Sequence, residues 1–211
     1  MITTFTTEVS GEPGPRQAAG AEPLLLGYRN IARSTDERTI ICSLLPRVAA
    51  NNSVLLVRVD PPELDRRLLF LAVISSFAFD YVARNKVGGM NMTYNYFRQF
   101  ACPRSDGVPL AWRRWTVESV ARLLARDGEL NDVLPATTPS GEDETLTVRS
   151  ELDAAMFRVY GIDRDDVDYI LDTFPIVRRK DEAKFGEYRT KRLILEAYDR
   201  LAAVERETAA A

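Results

Sequence analysis

Arg29, Arg33 and Arg38 share one short polar stretch, Y-R-N-I-A-R-S-T-D-E-R-T from Tyr28 to Thr39, with Asn30, Ser34 and Thr35 among them. Guanidinium forks beside hydroxyl and amide groups are the side-chain kit for phosphates and base edges. The same residues make an ordinary solvated loop if the arginines pair with Asp36 and Glu37. A second group runs from Lys86 to Phe97, K-V-G-G-M-N-M-T-Y-N-Y-F. Gly88 and Gly89 allow a sharp turn or a close approach of backbone. Asn91, Thr93, Tyr94, Asn95 and Tyr96 then bring amides, hydroxyls and aromatic faces together. Asparagine can bond an adenine edge twice, and rings can stack on bases. A hairpin or edge strand with alternate residues packed inward fits this segment equally. On the nucleic-acid reading, Arg33, Arg38 and Lys86 hold phosphates, while Arg29, Asn91, Thr93 and Asn95 face base edges.

Other chemistries are excluded or weak. The chain has no histidine, which removes histidine triads and histidine metal sites. Cys42 and Cys102 make a poor zinc site and read as reduced, buried thiols. Asp60-Pro61-Pro62-Glu63 imitates the tetrapeptide of DNA amino-methyltransferases, but Glu63 has no π face to stack on an extruded base. No glycine-rich strand–turn–helix precedes it to hold S-adenosylmethionine. Glu182-Ala183-Lys184 imitates a nuclease ending in a helical setting. Asp163, Asp165, Asp166 and Asp168 lack the glycine and closing glutamate of a calcium loop and read as first-turn acids. Lys86–Met90 lacks the Gly-Lys-Ser/Thr ending of a phosphate loop. No catalytic residue, metal or cofactor is expected in this chain.

The elements that must position the two groups follow from patterning. Short apolar runs bounded by polar residues predict strands near Leu25–Ile31, Arg38–Leu45 and Val54–Val59. Pro61-Pro62 open a helix from about Glu63 to Arg84, apolar nearly all round and therefore central and buried. Phe100–Pro103 reads as a closing strand. Thr116 caps a helix to about Asp127, and residues 128–147 read as a loose acidic linker. The tail is helical: one helix ends at Gly161, a second starts at Asp163 and stops at Phe174-Pro175, and a last one spans about Asp181 to Glu207. The expectation is an α+β fold, a small mixed sheet with a central buried helix followed by a helical tail. Residues 1–23 read as a disordered lead-in, 24–104 as the α/β module, 105–147 as crossing helix and linker, and 148–207 as the helical region.

The net charge of −3 hides an uneven distribution. Residues 24–104 carry eleven Lys/Arg against six Asp/Glu, whereas residues 105–211 carry sixteen against twenty-two. A basic module is where a polyanion docks. With 45% hydrophobic residues the chain can bury a real core. It has no signal pattern, and its most apolar run, Leu68 to Phe79, is too short to span a bilayer. A soluble, cytoplasmic protein without a membrane partner is expected.

Three ordered blocks carry a family resemblance. Tyr28–Thr39, Phe79–Phe100 (F-D-Y-V-A-R-N-K-V-G-G-M-N-M-T-Y-N-Y-F-R-Q-F) and the tail segments Glu151–Val177 and Phe185–Asp199 resemble the C-terminal parts of large N6-adenine DNA methyltransferases. These are the type IIG restriction–modification enzymes and related phage-defence methylases. The resemblance runs from about Leu24 to Leu201. It implies a target-recognition module that reads double-stranded DNA while a separate Rossmann-like domain transfers the methyl group. The matching positions are Arg29, Arg33, Ser34, Thr35 and Arg38 in the first block and Lys86, Gly88, Gly89 and Asn95 in the second. Asn30 stands where the family more often has Asp, and Met92, Thr93 and Tyr94 depart from its usual residues. S-adenosylmethionine would belong to a missing or separate catalytic part. The chain alone is then a DNA-recognition module and not an enzyme. The alternatives are an interaction subunit that docks a methylase or nuclease partner through its helical tail, or a truncated remnant.

Overall fold

The computed structural model describes residues 24–47, 50–104, 107–125, 130, 134 and 141–210, with side chains to 203. The expected lead-in 1–23 and most of the expected linker lie outside the described residues. Three antiparallel strands form the sheet: β1 (Leu24–Arg29), β2 (Cys42–Pro46) and β3 (Val54–Val57), in the order β2-β1-β3. The fold is α+β with a helical tail, but the described sheet is wholly antiparallel rather than mixed. Alternation decides its faces. Leu24, Leu26 and Tyr28 point inward and are buried, while Arg29 points outward and is exposed. Gly27 lies on the outer face, where a Cβ would sit 2.8 Å from Val54 Cγ1, so a larger residue would push its neighbours apart.

The central apolar stretch forms two helices, not one. These are α1 (Leu64–Ser75) and α2 (Phe77–Lys86), bent by 57°. Ser76 is extended between them, and its hydroxyl accepts from the Phe79 N–H at 3.2 Å, an N-cap that begins a new helix. Asp153, far along the chain, accepts from the Phe77 N–H at 2.7 Å. The break is held by a distant carboxylate as well as by local capping. Both prolines precede α1, whose N-cap is Glu63.

Further differences follow the same theme. Phe100–Pro103 is not a strand; Phe100 packs edge-on against Phe79. The segment after Gly89 makes an isolated bridge at Asn91 and then the short α3 (Tyr94–Phe97). The crossing helix α4 (Leu110–Leu124) starts before Thr116, which is buried within it. The tail holds α5 (Glu142–Val159), α6 (Arg164–Asp172), α7 (Pro175–Phe185) and α8 (Arg189–Ala210). Helix α5 begins inside the expected linker. The expected last helix is divided between α7 and α8 by Gly186, in the left-handed conformation at φ 76° that ends α7.

Two apolar cores meet on α5. The first joins the sheet, α1, α2, α4 and the Val148, Leu152 and Met156 side of α5. The second joins Phe77 and Ala78 to Phe157, α6, α7 and α8. The boundary expected between the α/β module and the helical region is therefore crossed by continuous packing. Among the described residues, no single helix is long and apolar enough to cross a membrane.

Candidate nucleic-acid interface

The polar stretch after β1 divides into an exposed half and an anchored half. In the exposed half the chain stays extended beyond Arg29. Ile31 bridges Asn91 in antiparallel register, with Ala32 N–H donating to Met90 O at 3.0 Å and Met92 N–H to Asn30 O at 2.6 Å. Such a non-hydrogen-bonded pair puts Ile31 and Asn91 side by side on one face. Period two then sets Arg29, Ile31 and Arg33 on the outward face, and all three are exposed. Tyr28 and Ala32 take the inward face and are buried. Ile41 stands beside Arg29, accepting its N–H at 2.8 Å, and is 44% exposed. Met90 follows the glycine pair and is 56% exposed.

The charged side chains of this ribbon are not engaged in ion pairs among the described residues. Arg29, Arg33 and Lys86 are exposed and make no ion pair among the described residues. Asp36 is turned to the backbone, accepting from the Arg33 N–H at 3.1 Å. Glu37 pairs with Lys180 on α7. The carboxylates nearest these arginines in sequence are used to hold the loop. Ser34 is half-buried and Thr35 exposed at the turn that follows.

Arg38 belongs to the anchored half and departs from the phosphate-binding role expected of it. Its Nε donates to Asp80 Oδ2 at 2.7 Å and its Nη2 to Ser75 O at 2.5 Å, and the guanidinium lies 4.0 Å from the Phe77 ring centre. Burial pulls its pKa down, but Asp80 and Asp153 outweigh this and hold it above the ordinary value. Asp80, fully buried, also accepts from the Thr39 N–H at 3.0 Å. Arg84 completes the anchor, donating to Asp36 O, Glu37 O and Thr173 O and stacking 4.1 Å from the Phe174 ring centre. This pair of arginines fastens the loop to α2 and the tail.

The second polar group is only partly brought to the ribbon. Asn91 lies beside Ile31, and Gly88, Gly89 and Lys86 are exposed next to it in the chain. Neither glycine has a positive φ, and a Cβ at either would meet nothing within 4 Å. Packing within the protein therefore does not demand glycine at these positions, and the space around both is open. Thr93 is half-buried at the start of α3, and Asn95 is exposed on it. Helix α3 packs on the inner layer, where Phe97 stacks on Tyr28 at 4.4 Å and Tyr94 meets it edge-on. Thr93 and Asn95 thus sit a layer behind the outward ribbon. Asn30 turns its amide into the protein, with Nδ2 donating to Asn52 O at 3.2 Å and Oδ1 buried.

Residue-type reasoning missed the apolar members, Ile31, Ile41 and Met90. The alternation of Tyr28 and Ala32 with Arg29, Ile31 and Arg33 carried the signal for Ile31. Away from the ribbon, burial pushes the Cys42 and Cys102 thiols up to about 12, so they stay protonated. The acids of α6 sit where helix physics places them: Asp163 is the N-cap, Asp165 and Asp166 are in the first turn, and Asp168 pairs with Lys191 at 3.0 Å. No family model, curated protein or solved structure matches the chain.

Proposed function

We propose that the chain is a DNA sequence-recognition module, resembling the specificity part of an adenine-specific DNA methyltransferase of a restriction–modification or phage-defence system. The observation that supports it is the exposed ribbon of Arg29, Ile31 and Arg33 with Asn91 alongside, its cations not paired with carboxylates among the described residues. Arg33 and Lys86 serve phosphates, which fix register. Arg29 and Asn91 serve base edges, which carry sequence. Ser34, Thr35 and the backbone at Gly88 and Gly89 line the approach. Arg38 is left out, being part of the fold. The module acts in the cytoplasm on double-stranded DNA, and a methyl donor would be held by a separate catalytic partner.

The test is selection of duplexes from a randomised pool by the whole chain, followed by affinity measurement across salt concentrations. Recovery of a preferred sequence, with affinity falling as salt rises, is expected. Failure to retain any duplex at low salt overturns the reading.

A second reading, docking of a methylase or nuclease subunit through the tail, draws on Tyr169 of α6. It is 62% exposed and borders a hollow of about 340 Å³ shared with Tyr81, Tyr160 and Ile162. Co-purification with a large subunit that Tyr169→Ala abolishes, without DNA retention by the isolated chain, would favour it.

A further inference from the structure

We infer that the ribbon distorts the duplex it binds, with Ile31 as an apolar wedge that enters between base pairs. This rests on the DNA-binding reading above and adds a mechanical action to it. Five large hydrophobic side chains are exposed among the described residues, and three of them, Ile31, Ile41 and Met90, lie on or beside the ribbon. Exposed apolar groups concentrated at one place mark a surface that is covered in function. Ile31 projects between Arg29 and Arg33 with Asn91 beside it on the same face, and the backbone bonds from Ala32 N–H to Met90 O and from Met92 N–H to Asn30 O hold this strand pair together. The flanking cations choose the partner. A purely apolar partner would leave Arg29 and Arg33 desolvated and without counter-charge, whereas a duplex offers phosphates at the flanks and stacked bases between them. Rigid backing is present too. Tyr28 and Ala32 alternate with the ribbon residues and are buried in the core, so the projecting side chains are mounted on packed structure. Apolar side chains carried beside arginines are the equipment of proteins that unstack a base step and kink the helix.

The whole chain is titrated onto its selected duplex, labelled at both ends for energy transfer and carrying 2-aminopurine at successive positions. A bend of roughly 20–90° and a rise in 2-aminopurine fluorescence at one step are expected. The variant Ile31→Ala is expected to keep the salt dependence of binding but lose both signals, and Ile31→Leu to restore them. Binding by the wild type with an undistorted, fully stacked duplex overturns the wedge and leaves the recognition reading standing. Distortion that persists unchanged in the alanine variant also overturns it. No binding to any duplex overturns both.

Discussion

Arg33 and Arg38 lie five residues apart in sequence and are set to different tasks by their partners. Arg33 is exposed and makes no ion pair among the described residues, whereas Arg38 is committed to Asp80, Ser75 O and the Phe77 ring. Their alanine variants should therefore separate cleanly. Arg33→Ala is expected to weaken binding to all duplexes alike and to reduce the slope of log affinity against log salt by about one, with no change in melting temperature. Arg38→Ala is expected to lower the melting temperature, because Asp80 is left buried without its charge partner, at a cost of about 3 kcal/mol. Its salt slope should be that of the wild type at temperatures where it is folded. Paired melting curves and salt titrations check both, and identical behaviour of the two variants would dissolve the distinction.

Among the elements, α5 does the most to position the others, and its Asp153 carries a pH signature. The carboxyl is buried against α1 and α2 beside a cavity of about 280 Å³, also lined by Cys42, Arg38 and Arg149. Burial pushes its pKa up to about 6, opposed by Arg38, the Phe77 N–H and Arg149. The folded state therefore holds this proton more tightly than the unfolded chain, whose value is near the ordinary 3.8. Its contribution is fully present below the unfolded value and is lost as pH rises through about 6. Asparagine keeps the acceptor for Phe77 without the charge. Asp153→Asn is expected to stabilise the fold at pH 7.5 by about 1–3 kcal/mol and to make little difference at pH 4. Urea unfolding at the two values checks this; an equal effect at both would mean the carboxyl titrates as in water. At the α7–α8 junction, Gly186→Ala is expected to cost about 1 kcal/mol, since a Cβ is strained at its φ of 76°.

At the scale of the whole molecule, the two cores share α5, and Phe157 is fully buried on its second-core side. A module ending near residue 104 would leave the first core without Val117, Val120, Val148, Leu152 and Met156. The described structure is expected to unfold as one cooperative unit. Phe157→Ala should destabilise it by about 3–5 kcal/mol. Fluorescence of Trp112 and Trp115, on the α4 side of the first core, should lose structure in the same transition as the far-ultraviolet helical signal. Two separated transitions would mean that the sheet module and the tail fold independently.

Local spacing was enough for the α+β class, for β1, β3, α6 and the stop at Gly161. Strand alternation, N-cap acids and glycine stops act within a few residues, so these features are written in neighbouring positions. The same period of two sets Arg29, Ile31 and Arg33 on one face, but reading by residue type grouped Arg29 and Arg33 with Arg38 and passed over Ile31. What pairs across the chain was decided only by the tertiary structure. Arg38 meets Asp80, Arg84 meets Thr173, and Asp153 reaches back to Phe77 to hold the break between α1 and α2. An arginine looks the same in sequence whether its partner is a buried carboxylate or a solvent-facing ligand. The difference lies in which distant side chains the packing brings within hydrogen-bonding distance, and that follows from filling the cores around α5 rather than from the spacing of the arginines themselves.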